Sequence, residues 1–189
     1  MKKFGALFCR KDSAYKNRPH FDVFDADRDA LTFKGGMPVV CHPPCRKWGV
    51  LSHMAHRARP GEELLALNAI EFVRENGGIL EHPKGSRLFG KHVPDAGKIT
   101  DNYGGFTILI DQFDFGHIAS KPTKLYICGL KRWQLPTLPP RRTEEPERSI
   151  CGGRGKTRCT QYQREYTPEP LIDWFEEVLT IIAENKSNA

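Results

Sequence analysis

Two short stretches carry residue types that can do chemistry together. In His42-Pro43-Pro44-Cys45-Arg46 a cysteine follows two prolines. Their fixed φ and missing N–H end any preceding strand and hold the thiol in one place. Arg46 and Lys47 beside it would favour the thiolate, the nucleophilic form. In Leu80-Glu81-His82-Pro83 a glutamate closes an apolar run. A carboxyl group there must find a partner or shift its pKa, and it can hydrogen-bond the edge of a heterocycle. Each stretch also has a plainer reading: a turn with a small apolar side chain, and a surface carboxylate paired with Lys84 or Arg87. Zinc is the rival use of Cys41, Cys45, His53 and His56. Their intervals are too short for a zinc finger, so no metal site is expected.

These residues need elements to hold them. Short apolar runs predict strands at Phe4–Phe8, Phe21–Phe24, Pro38–Cys41, Gly78–Glu81, Phe106–Ile110 and Lys124–Cys128. Glu62 and Glu63 open a helical pattern that Gly77-Gly78 stops. Hydrophobic strands interleaved with helical stretches predict an α/β fold with a mostly parallel, twisted sheet covered on both faces. In such sheets the ligand site lies beyond the carboxyl ends of the strands. That places Asp25 and Asp27, Cys45 and Glu81 at one edge. The expected organisation is an α/β core over residues 1–130, a basic insert over 131–165 rich in proline, glycine and arginine, and a C-terminal helix within 166–189. The insert has few apolar anchors and is expected to pack poorly. Thr167 suits an N-cap and Pro168 a first helical position.

The chain has 189 residues with 39% hydrophobic and 28% charged, which fits one folded domain with its own core and argues against general disorder. No apolar run is long enough to span a membrane, and the N-terminal run is too short for a signal peptide. Six scattered cysteines read as reduced thiols in a cytoplasmic protein. The formal net charge of +6 suits a polyanionic partner such as DNA and equally suits plain solubility.

The order of the motifs resembles the DNA (cytosine-5) methyltransferases. Phe8, Pro-Pro-Cys, the strand-ending Glu81-His82-Pro83, Gln112 with Phe115-Gly116, and the strand Lys124-Leu125-Tyr126-Ile127-Cys128 follow one another as the family's segments do. Tyr166-Thr167-Pro168 looks like the family's last motif, which opens a helix beside the cofactor. The chain also resembles small phage-encoded proteins sharing His-Pro-Pro-Cys, Glu-His-Pro-x-Gly-Ser and Gly-His-x-Ala-x-Lys-x-Thr, which would place it in a bacterial host's cytoplasm. Three positions depart from the family pattern. No glycine stands in Ala6-Leu7-Phe8-Cys9-Arg10-Lys11-Asp12-Ser13, His82 replaces an asparagine, and Arg46 replaces a glutamine.

The resemblance implies a Rossmann-like methyltransferase-type core and modification of a pyrimidine in DNA. Cys45 would add to C6 of the base, and Glu81 would bond N3 and the exocyclic group. S-adenosylmethionine would be the cofactor, near Phe8, Asp25, Asp27, Pro43 and Thr167. Arg46, Lys121, Lys124, Arg154, Lys156 and Arg158 would contact nucleic acid. The base must leave the duplex first, because C6 is inaccessible in the stack. Two other functions stay open. One is a non-catalytic DNA-binding or decoy protein on the same scaffold. The other is an enzyme acting on a free nucleotide, with Gly85-Ser86-Arg87 holding phosphate.

Overall fold

The computed structural model describes residues 3–50, 52–56, 58–152 and 155–188. The chain folds as an α/β domain around one six-stranded sheet. The strands are β1 (Phe4–Leu7), β2 (Phe21–Phe24), β3 (Val39–Cys41), β4 (Gly78–Pro83), β5 (Phe106–Asp111) and β6 (Pro122–Cys128). Their order across the sheet is β2-β1-β3-β4-β6-β5. The first four are parallel. β6 runs antiparallel between β4 and β5, so the sheet is mostly parallel, as expected, with one reversed strand.

Alternation along the strands sorts the core into two faces. Phe4, Ala6, Val40, Ile79, Leu125 and Ile127 pack with Leu171, Phe175, Val178 and Ile182 of helix α3 (Glu169–Ser187). Leu7, Val39, Cys41, Leu80, Tyr126 and Cys128 pack with Ala66, Ala69, Ile70 and Val73 of helix α1 (Glu62–Asn76). Each fully buried branched or aromatic side chain adds roughly 1.5–3 kcal/mol. The two helices therefore clamp the sheet from opposite sides and leave its edges to carry polar groups.

Several boundaries differ from the sequence expectation: β3 starts at Val39, β4 runs on to Pro83, β5 runs on to Asp111 and β6 starts at Pro122. β1 stops at Leu7 because Phe8 turns into the left-handed region, φ 60, the sole non-glycine with positive φ among the described residues. Thr167 does not cap α3. The cap is Pro168, whose carbonyl accepts from Leu171 and Ile172. Pro170 lacks an N–H, so the first turn has one donor fewer to satisfy.

Among its described residues, the segment 131–165 holds little regular structure beyond the short helix α2 (Gln161–Glu165). It is not loose throughout. Pro136 accepts from Trp174 Nε1 at 3.3 Å, Arg142 Nη1 reaches the Phe113 carbonyl at 3.2 Å, and Cys159 is buried. Backbone pairing and these side-chain contacts supply the anchors that its composition does not show. Among the described residues no helix is long and apolar enough to cross a membrane.

Candidate functional site

β1 has β2 on one side and β3 on the other. The chain therefore leaves the carboxyl ends of these strands in opposite directions, which opens a crevice at that point of an α/β sheet. Phe8, Asp25, His42 and Cys45 all follow strands that end there. β4 is longer than β3, and Cys41 pairs with Leu80. His42 therefore comes alongside Glu81, and the two side chains meet.

A hydrogen-bonded row crosses this edge. His42 Nδ1 donates to Glu81 Oε2 at 2.8 Å, and His42 Nε2 accepts from the Tyr15 hydroxyl at 3.0 Å. Gln112 Nε2 donates to Glu81 Oε1 at 3.0 Å and to Thr123 Oγ1 at 3.1 Å. Tyr15, Gln112 and Thr123 are buried, and the Glu81 side chain is 11% exposed. Burial alone would raise the Glu81 pKa. Lys121, the hydrogen bond from His42 and the two neighbouring imidazoles outweigh it and bring it down to about 2. Glu81 is therefore a carboxylate at neutral pH. It accepts from an exocyclic amino group as it stands, whereas bonding an unprotonated N3 would first require it to gain a proton.

Cys45 lies partly buried at the same edge, with the electrostatic influence of Glu81, Lys121 and Glu165 upon it. Burial and the Glu81 charge push its thiol above the ordinary value, and Lys121 pulls the other way. This corrects the expectation that Arg46 activates the thiol. Arg46 turns to helix α1, where its Nε and Nη2 both lie 3.0 Å from the buried Glu62 carboxylate. Lys121 is the cation whose charge acts on the cysteine. Its Nζ also donates to the Tyr166 carbonyl at 3.3 Å.

The residues expected at a cofactor are placed less favourably. Asp25 is at the end of β2 as anticipated, but Lys16 Nζ lies 2.5 Å from one oxygen. The other oxygen accepts from the amides of Asp27 and Arg28. These contacts hold its pKa down to about 2. Asp27 is out on the surface, paired with Lys11. Pro43 is buried at the end of β3. Tyr15 fills the crevice, its ring 4.9 Å from Phe21 and 5.4 Å from His42.

Several expected nucleic-acid contacts are committed elsewhere. Lys124 pairs with Asp95 at 2.5 Å over the Phe89 ring. Lys156 holds Glu145 at 2.8 Å and the Pro146 carbonyl at 2.8 Å. Arg158 is exposed, and Arg154 lies outside the described residues. A cleft of about 340 Å³ lined by Leu109, Asp111, Phe115 and Arg141 runs beside β5. It holds neither Cys45 nor Glu81.

Sequence reading missed Tyr15, His42 and Gln112 as partners of Glu81. His42 had a signal, since it directly follows β3 as Glu81 lies beside it on β4. Tyr15 had none, because its contact depends on the path between β1 and β2.

His82 and Glu81 together set an acid limit. His82 is buried with Nδ1 2.7 Å from Ser86 Oγ, and burial lowers its pKa to about 4. The unfolded chain takes up this proton from its ordinary value near 6.5 downward, while the folded chain resists until about 4. Glu81 is depressed from 4.5 to about 2 and acts below that window in the same direction. Stability should therefore fall from pH 6.5 downward, each group costing about 3 kcal/mol across its own interval. Urea midpoints between pH 7 and pH 4 measure the His82 part. A flat profile there counts against a neutral buried His82.

Compared with protein-family models, curated proteins and solved structures, the chain matches none.

Proposed function

We propose that the protein acts on a pyrimidine base of DNA in the manner of the cytosine-5 methyltransferases, with Cys45 as the nucleophile and Glu81 at the base edge. The observation that carries this reading is the meeting of two distant stretches at one sheet edge. Cys45 follows β3 and Glu81 lies within β4 beside His42, with the charge of Lys121 acting on both.

The thiol sulfur of Cys45 would attack C6. The C5=C6 electron pair moves toward C5, which takes up a proton in place of the one the thiol gives up. One S–H and one C=C become one S–C and one C–H. Reversal with loss of the other C5 hydrogen exchanges it with solvent. The Glu81 carboxylate accepts from the amino group of cytosine and holds the ring. His42 and Gln112 hold the carboxylate.

The residues present do not fit S-adenosylmethionine. Its ribose would have to displace Lys16 from Asp25, Tyr15 fills the crevice, and no glycine follows β1. No step is routed through it. That disagreement favours one second reading, a binder on the same scaffold that has lost group transfer.

A cytosine oligonucleotide tritiated at C5 tests the chemistry without a donor. The wild type should release tritium to water, and Cys45→Ser should lower the rate at least about 100-fold. Cys151→Ser, at an exposed cysteine, should leave the rate unchanged. Release that survives Cys45→Ser removes Cys45 as nucleophile. No release by the wild type leaves the binder as the better account.

A further inference from the structure

Arg10 sits two residues beyond the left-handed Phe8, past the carboxyl end of β1. Asp12 orients its guanidinium, with Nε 2.8 Å and Nη2 3.1 Å from the two carboxylate oxygens. The remaining edge, Nη1, is taken by Glu165, which lies 155 residues away on α2. The guanidinium also lies over the Tyr162 ring, 5.3 Å from its centroid, and Tyr162 stacks with Tyr166 at 5.9 Å. α2 is a capped turn, closed by Thr160 and Gln163. It is held to the core by His117 Nε2 donating to the Gln163 carbonyl at 2.7 Å, and by Lys121 reaching the Tyr166 carbonyl.

The pair that closes this arrangement is weakly held. Arg10 and Glu165 side chains are 32% and 45% exposed, and ion pairs of that exposure contribute about 0–1 kcal/mol. Glu165 gives Nη1 a single oxygen, its other oxygen accepting from Gln161 Nε2 at 3.1 Å; a phosphate offers a guanidinium oxygens with more charge. Lys121, beside Glu81 and Cys45, adds a second cation to that rim. Among the described residues the anion set against Nη1 is Glu165, on the short, separately capped α2.

We propose that the Nη1 edge of Arg10 binds the phosphate of a pyrimidine nucleotide, free or within a strand, and that Glu165 holds this position as a phosphate mimic until α2 is displaced. This rests on the base-directed reading of Cys45 and Glu81 and names the group that brings the base to them. Because Lys121 donates to Tyr166, departure of α2 also frees its Nζ toward the site.

Binding of dCMP and of a twelve-nucleotide single strand with one cytosine tests it, by calorimetry and fluorescence anisotropy respectively. All variants are made in the Cys45→Ser background, so affinity is read apart from chemistry. Glu165→Gln should tighten at least one probe about five- to tenfold, and the probe that responds identifies a free nucleotide or a strand. Arg10→Gln should weaken it, and the double variant should behave as Arg10→Gln alone. Glu147→Gln, another exposed carboxylate of the same segment, controls for net charge and should change affinity less than twofold. The proposal is overturned if Glu165→Gln matches Glu147→Gln, if its gain persists without Arg10, or if it binds neither probe. Tightening without C5 exchange in the Cys45 protein keeps the phosphate site and removes the chemistry. Exchange without tightening does the reverse.

Discussion

Gly78→Ala is expected to abolish the native fold. Gly78 opens β4 at φ 148, directly opposite Val39 of β3. An added Cβ would lie 2.0 Å from the Val39 carbonyl oxygen and 2.9 Å from its carbon and nitrogen. All three atoms are backbone, so no side chain can turn away. Relief requires β3 and β4 to separate, and these strands carry the loops of Cys45 and Glu81. The cost should exceed about 4 kcal/mol, a large share of the stability of an ordinary domain. Gly90→Ala is the comparison. It also has positive φ, 81, but nothing lies within 4 Å of its added Cβ, so about 1 kcal/mol is expected. Urea unfolding of the two variants measures the difference. Equal, mild losses would mean that the strands do not approach this closely at Gly78.

Glu81→Ala is expected to cost about 3 kcal/mol or more and to remove the proposed C5 exchange with it. The substitution leaves the His42 Nδ1–H without an acceptor, takes one of two partners from the Gln112 amide nitrogen, and removes a negative charge from the neighbourhood of Lys121. Removing one member of a buried charged network costs more than the network contributes as a whole, because the remaining groups stay desolvated. Glu81→Gln keeps the volume and one acceptor, so it should lose less stability. Both variants should lose the part of the acid transition that lies between pH 4.5 and about 2, while the His82 part above it remains. A Glu81→Ala protein within about 0.5 kcal/mol of wild type would place the carboxylate at the surface, where ion pairs contribute little.

The strands and the shared edge were legible before folding, and the reason is geometric. A parallel strand is buried on both faces, so it reads as an apolar run, and Phe21–Phe24, Pro38–Cys41 and Gly78–Glu81 all read that way. Polar residues after parallel strands must emerge at one edge, which accounts for Cys45 and Asp25, whereas Glu81 stands inside β4 and reaches His42 because β3 stops one pair earlier, at Cys41 and Leu80. The reversal of β6 was not legible. Lys124–Cys128 alternates in the same way whether it runs up or down, so only its pairing with β4 decides the direction.

The partners of the charges lay wholly with tertiary structure. Arg46 next to Cys45, Lys124 in a strand and Lys156 in a basic run all looked free for phosphate. Folding brought Glu62, Asp95 and Glu145 to them. Asp25 kept its expected place and lost its expected role, because Lys16 reached it first. A side chain's chemistry is set within a few ångströms, and the chain path decides who stands there. Residue type and order could point to Cys45 and Glu81 as neighbours, one after β3 and the other in the adjacent β4. Only the folded chain could give Glu81 its histidine, glutamine and lysine, raise the Cys45 thiol by burial, and set Glu165 on Arg10 from the far end of the sequence.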